Sequence, residues 1–284
     1  MSFNLVADVG KPYSATLIRS ERITPANSPD EVRHMVFKAD DASFECKTGQ
    51  SIRVMAPGRF GKQYHTRFYS IADPDGETKD SAEFALCVRR HCCVDDFNGE
   101  RYDGVASNYL CDLKPGAAIR FSGPYGLPFK LPADKSADLI MIAMGAGVAP
   151  FRAFVRHIYE NLGGWDGQVR LFYGVRTGLE QIYMNDENRD LANYYDQKTF
   201  RAFQAVGPRP RYDAPVELNK AIERNAEEIW SMLKKPDTHV FVAGMKAALE
   251  QVEHALSHIA GSSEAWREEK SVLLAGGRWS EILY

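Results

Sequence analysis

The chain has 284 residues, 44% of them hydrophobic and 26% charged, with a formal net charge of -3 and a pI near 6.2. That length favours two domains over one, and so small a net charge excludes a global attraction to nucleic acid or to an anionic membrane, so that any charged partner has to be met by a local patch. Residues 1–10 lack the basic region and apolar block of a signal peptide, and no apolar run approaches the roughly 20 residues that span a bilayer.

Up to about residue 132, short β-prone runs alternate with turn clusters, at 13–18, 34–37, 51–55, 67–72, 84–88 and 118–121. Short strands punctuated in this way predict an antiparallel barrel or sandwich. From residue 133 the rhythm becomes strand, glycine turn, helix. The uninterrupted apolar run 139–144 predicts a strand of a parallel sheet buried on both faces, and Pro150 opens a helix over 151–159. Residues 169–173 and 239–243 repeat the strand pattern, and 247–259 predicts a strong helix. The second half therefore predicts an α/β nucleotide-type domain, with the division at 1–132 and 133–284. There is no low-complexity segment and no repeat at a fixed period.

The turn Gly145-Ala146-Gly147 follows the first of these strands. Glycines there let a pyrophosphate approach the backbone, and the next helix offers unpaired N–H groups and the positive end of its dipole. Pro150 replaces the third glycine of the dinucleotide fingerprint, and a turn without a ligand is the competing reading. The five cysteines, at 46, 87, 92, 93 and 111, are odd in number and have no C-x-x-C spacing. They fit a reducing compartment, taken here as the cytoplasm, better than a disulfide framework or a metal cluster. His254 and His258 fall one helical turn apart without the glutamate of a zinc protease, so a solvated helix face explains them and no metal site is expected.

Arg67-Phe68-Tyr69-Ser70 on its own is a β-prone run with a surface charge and an aromatic. In the same chain, in order, stand Gly49-Gln50-Ser51, Cys87-Val88-Arg89-Arg90, Gly104-Val105-Ala106-Ser107-Asn108, the longer run 107–116, Gly123-Pro124, the segment 145–154, Gly244-Met245-Lys246, and an ending on Trp279-Ser280-Glu281-Ile282-Leu283-Tyr284. This series resembles the ferredoxin–NADP reductase family in its plant-type form, beginning with the R-x-Y-S signature. The likeness is weakest over 181–220.

The resemblance implies an N-terminal antiparallel β-barrel that binds FAD, followed by a parallel-sheet α/β domain that binds NADP(H), with NAD(H) left open. Arg67 would pair with an FAD phosphate, Tyr69 stack on one face of the isoalloxazine and Ser70 lie near flavin N5, with Phe68, Cys87, Val88 and Arg89 in the same binding set. Gly104, Val105, Ala106 and Ser107 would hold the pyrophosphate through backbone amides and the Ser107 hydroxyl. Gly145, Ala146, Gly147, Val175, Arg176, Gly244 and Met245 would meet the nicotinamide coenzyme. Arg209 and Arg211 would answer a 2'-phosphate, with Tyr212 beside the adenine. Tyr284 would cover the second flavin face as a gate that nicotinamide displaces. Ser70, Glu281 and Tyr284 make up the implied catalytic set.

Four departures from the family pattern stand out: Ala146 for a threonine, Ala243 for a cysteine, Cys93 for the tyrosine that stacks on the FAD adenine, and a glutamate one place early, at 281. The implied activity is electron transfer between NADP(H) and a one-electron carrier, ferredoxin or flavodoxin, docked on Lys47, Arg59, Lys62 and Arg152. The alternatives are a reductase component serving an oxygenase, a non-flavin dehydrogenase and a redox sensor.

Overall fold

The computed structural model describes residues 11–59, 61–74, 82–95, 97–126, 129–206 and 217–283, apart from the side chains at 247 and 248. The chain forms two compact units, one of Met1–Arg22 with Asp30–Leu127, the other of Ile23–Pro29 with Pro128–Tyr284.

In the first unit, strands β1 (Pro12–Arg22), β2 (Val32–Ala39), β3 (Ser51–Pro57), β4 (Tyr64–Asp73), β5 (Glu83–Arg89) and β8 (Ala118–Tyr125) close into an antiparallel barrel in the order β1-β2-β5-β4-β3-β8. The strand pattern alone left barrel and sandwich open, the family resemblance implied a barrel, and a barrel is what forms; closure removes the unpaired edges that a sandwich keeps. Every expected strand is present. Phe37, Phe44, Phe84 and Phe121 fill the barrel, with Phe44 edge-on to Phe121 at 5.1 Å between centroids. Burying each such ring contributes roughly 2–3 kcal/mol. A short exposed ribbon, β6 (Cys92–Val94) with β7 (Arg101–Asp103), leads into helix α1 (Val105–Asp112). Leu113, in extended conformation, ends that helix two residues before Pro115, which cannot continue it.

The second unit is a five-stranded parallel sheet in the order β11-β10-β9-β12-β13, built from β9 (Leu139–Met144), β10 (Val169–Val175), β11 (Phe200–Val206), β12 (His239–Gly244) and β13 (Trp279–Leu283). Helix α2 (Ala149–Arg156) follows β9 and widens into a π turn at His157–Asn161, where the expected helix ran on to 159. Helices α3 (Leu218–Glu223), α4 (Ala226–Leu233), α5 (Lys246–Ala260) and α6 (Ser263–Ala275) complete the unit. Leu218, Ile229, Val252, Trp266 and Leu273 from these four helices pack with Ile140, Ile142, Val240, Val242 and Trp279 on one sheet face. On the other face Phe241 meets Phe154 of α2 and Phe129.

Gly261, at φ 86, ends α5, and the Ser262 hydroxyl accepts from the Ala265 N–H to start α6. The segment Ile23–Pro29 belongs to this unit, where the Asn185 amide donates to the Ile23 carbonyl at 2.9 Å. Among the described residues no helix is long and apolar enough to cross a membrane, no group of three potential ligands could hold a metal, and all five cysteines are free thiols.

Candidate functional site

In the barrel unit, α1 packs against β3, β4 and β5; Leu110 and Cys111 from its later turn share the core cluster with Tyr69 of β4, and its first turn is bonded to His91. Residues along a strand alternate between faces. Arg67 and Tyr69 therefore share one face, opposite Val54 and Ile52 in register, and Phe68 and Ser70 take the other. Arg67 is exposed, its guanidinium donating to the Thr66 carbonyl at 3.0 Å. Tyr69 is half-buried against the barrel core, and burial raises its pKa well above the ordinary phenol value, so the ring stays neutral. The Cys111 thiol lies nearby, pushed up to about 12 by burial. Phe68 is exposed and meets Tyr125 edge-on at 5.3 Å.

Gly104 caps α1 with extended backbone, and no side chain caps the turn. The first N–H groups of a helix have no partner within it, so the start of α1 is a ready anion cradle. A Cβ on Gly104 would lie 2.9 Å from the Ser107 hydroxyl and 3.2 Å from the His91 Cβ, so a larger residue there would displace the Ser107 side chain. The Ser107 hydroxyl, expected to reach a phosphate, accepts from the His91 N–H at 3.2 Å and donates to the Gly104 carbonyl at 3.5 Å. Cys87 and Val88 are buried in the barrel wall, and Arg89 is paired with Asp30 at 2.7 Å.

In the sheet unit the chain runs outward from β9 to β10 and β11, then returns to the other side of β9 as β12. Strand order reverses there, and open α/β sheets bind ligands at the carboxyl ends of the strands flanking such a point. Gly145-Ala146-Gly147 follows β9, Arg176 follows β10 and Met245 follows β12, so the expected coenzyme residues of the described chain converge on one edge of the sheet. The two glycines differ in role. Gly145 sits at φ 55 with nothing within 4 Å of where a Cβ would stand, which leaves its backbone open to a ligand. A Cβ on Gly147 would come 2.2 Å from the Ala243 carbonyl oxygen, so that glycine serves the packing of the turn onto β12. Val175 is buried; Arg176 is exposed and pairs with Glu180 at 3.5 Å. Met245 is exposed.

Two expected residues are otherwise engaged. Arg152, named for docking, is 6% exposed: its Nε donates to Asp190 at 2.5 Å and its guanidinium lies 5.0 Å from the centre of the Tyr183 ring, so it offers no charge to a partner. Glu281, named as catalytic, faces the helices of the sheet. Its carboxylate accepts from Trp279 Nε1 at 2.5 Å and Lys270 Nζ at 3.2 Å, while Lys270 also pairs with Glu253. These bonds make Glu281 a tie between β13 and α6. Because strand faces alternate, the one-place displacement noted in the sequence puts its side chain on the face opposite that of Ile282. Lys47, Arg59 and Lys62 are exposed. Burial together with the charges of Arg67, Lys62 and Arg59 lowers the pKa of His65, a sign that positive charge is concentrated on the β3–β4 hairpin. His254 and His258 are exposed on α5 as expected. Arg209, Arg211, Tyr212 and Tyr284 lie outside the described residues.

Residues 17–129 match the oxidoreductase FAD-binding domain family, and residues 141–254 match the oxidoreductase NAD-binding domain family. The chain is 33% identical to the chloroplastic ferredoxin–NADP reductase leaf isozyme 1 of Oryza sativa subsp. indica, covering 96% of this chain and 77% of the relative. It is 34% identical to the cyanelle ferredoxin–NADP reductase of Cyanophora paradoxa, with the same coverage, and 30% identical to the ferredoxin–NADP reductase of a Spirulina species, covering 95% of that protein. The solved ferredoxin–NADP+ reductase of Plasmodium falciparum shares its fold, with a TM-score of 0.73 over 96% of both chains at 18% identity. With the barrel, the doubly wound sheet and relatives of this likeness along nearly its whole length, the chain belongs to the ferredoxin–NADP reductase family.

Proposed function

We propose that this protein is an FAD-dependent oxidoreductase that moves electrons between NADP(H) and a one-electron carrier, the activity for which its relatives are named. The observation that carries the reading is the presence, in one chain, of a barrel with a phosphate-ready helix start and of an open glycine turn at the switch point of a parallel sheet. We take residues 1–132 as the FAD-binding domain and 133–284 as the NADP(H)-binding domain. The donor set fits a dinucleotide flavin: backbone N–H groups and an arginine for phosphates, and a neutral half-buried ring for stacking. Bound FAD would supply the chemistry, taking two electrons from NADPH and giving them up one at a time.

The chain's own residues bind and align. Arg67 meets a phosphate with its planar fork, Tyr69 offers an uncharged face, and Ser70 brings a hydroxyl to the ring edge. The backbone at Gly145 admits the coenzyme pyrophosphate, and Arg176, Arg209 and Arg211 supply positive charge for a 2'-phosphate, which favours NADPH over NADH. Glu281 acts by holding β13 in place. Lys47, Arg59 and Lys62 receive an acidic carrier, ferredoxin or flavodoxin, and free thiols suit the cytoplasm.

Anaerobic titration with NADPH and NADH in parallel, following flavin bleaching, tests this. A yellow protein bleached faster by NADPH is expected. A preparation that stays colourless with added FAD would overturn the reading, and faster bleaching by NADH would reverse the coenzyme preference. Deleting Tyr284 is expected to tighten nicotinamide binding and to loosen discrimination between the two coenzymes; equilibrium titration showing unchanged binding would count against a gate.

A further inference from the structure

Two side chains outside the expected binding set, Arg90 and Asn108, hold the start of α1. Gly104, Asn108 and Asp112 stand four residues apart, a single stripe along the helix. The Asn108 amide nitrogen donates to the Gly104 carbonyl and to the His91 carbonyl, each at 2.8 Å, and its oxygen accepts from Arg90 Nη1 at 2.9 Å. Arg90 Nη2 reaches Asp112 at 2.8 Å, and Nε reaches Glu31 at 2.7 Å. The other Glu31 oxygen accepts from Arg33 at 2.5 Å, and the Glu31 backbone carbonyl accepts from the Arg90 N–H at 2.8 Å. Burial pushes the Glu31 pKa up, but the two guanidiniums outweigh it and hold the carboxyl below its ordinary range.

The peptide groups at the mouth of the helix are thereby committed to one another. The His91 N–H goes to Ser107, and the His91 carbonyl takes both the Gly104 N–H, at 2.9 Å, and the Asn108 amide. The N–H groups of Val105, Ala106 and Ser107 are left without a partner inside the helix.

We propose that Arg90 and Asn108 are positioning residues for the pyrophosphate of a dinucleotide flavin, fixing the first turn of α1 through the Arg90–Asn108–Gly104 chain of hydrogen bonds. The inference rests on the FAD reading given above. Backbone donors to a phosphate need heavy-atom distances of about 2.7–2.9 Å, and a displacement of about 1 Å in a positioned group has large effects. Asn108 suits the task because one amide both accepts from the guanidinium and donates to two carbonyls. Arg90 suits it because its fork reaches Asn108, Asp112 and Glu31 at once, which an ammonium group does not match.

The test compares FAD with riboflavin, which carries no phosphate, on the full chain stripped of flavin, by equilibrium fluorescence titration with thermal melting alongside. Asn108→Ala and Arg90→Gln should each raise the FAD dissociation constant at least tenfold and leave that of riboflavin within twofold of the unsubstituted protein. Arg90→Lys separates positioning from charge: it should behave like Arg90→Gln. Unchanged FAD binding in Asn108→Ala, equal weakening of both flavins, or an Arg90→Lys protein that binds FAD normally would each overturn the proposal. If the unsubstituted chain takes up no FAD at all, the FAD reading itself fails, an outcome distinct from these.

Discussion

Gly147→Ala is expected to lower the stability of the sheet unit by about 3 kcal/mol, the upper end of the range for an overpacked interior, and to weaken NADPH binding at least tenfold while FAD remains bound. The added methyl carbon would stand 2.2 Å from the Ala243 carbonyl oxygen and 2.9 Å from the Gly244 nitrogen. Both are backbone atoms of the β12 end, and no side chain can swing aside to make room. The turn has to lift away from β12, taking with it the open backbone at Gly145. Thermal melting should show the midpoint falling by roughly 10 °C, from the usual relation of stability to midpoint in chains of 150–250 residues, and flavin content measured after gel filtration should stay near one per chain. An alanine protein with unchanged melting and unchanged coenzyme affinity would show that the turn does not depend on this close approach.

Arg67→Ala should weaken FAD binding by about 100-fold, the loss expected when a phosphate surrenders a charge-assisted, two-pronged partner. The side chain is exposed and its bond within the chain, at 3.0 Å to the Thr66 carbonyl, is local. Its removal should leave the barrel core intact, with little change in melting of the flavin-free protein. Arg67→Lys should recover part of the affinity, because charge returns without the planar fork. Fluorescence titration of the flavin-free chain measures both. FAD binding that survives the alanine substitution would remove Arg67 from the phosphate site.

The barrel was legible in the sequence because its strands are short, half-buried and separated by turn clusters. The sheet was legible where a strand is buried on both faces, as β9 and β10 are throughout their length. β11 went unread because it is an edge strand: it pairs with β10 alone, and burial along Phe200–Val206 is irregular. The β6–β7 ribbon went unread for a related reason, since all six of its residues are exposed and no buried face imprints a period.

Within the site, local chemistry was readable and long-range partnership was not. The glycine turn at 145–147 declares itself, but the division of labour between its two glycines depends on Ala243, nearly 100 residues away in sequence. An arginine in a helix reads as a surface charge until Asp190, 38 positions on, is seen to neutralise Arg152. Arg90 and Asn108 are separated by 18 positions, beyond any helical or strand spacing. For Glu281 the residue type was visible, but which side of β13 it occupies became visible only once the strand was placed against its neighbours.

The passage of Ile23–Pro29 into the second unit leaves neither unit made of one continuous stretch of chain. These residues connect β1 to β2, so the longest hairpin of the barrel is closed by a loop whose ordering is provided elsewhere. A fragment ending near residue 127 would keep all six barrel strands yet leave seven residues without their packing surface, and the loop would regain about 1–2 kcal/mol of backbone entropy per residue released. A fragment starting near residue 128 would suffer the reverse defect, a sheet missing a patch of cover that includes the carbonyl bound by Asn185. Simple truncation therefore severs a strap as well as a linker, and intact material is the sounder starting point for isolating either half.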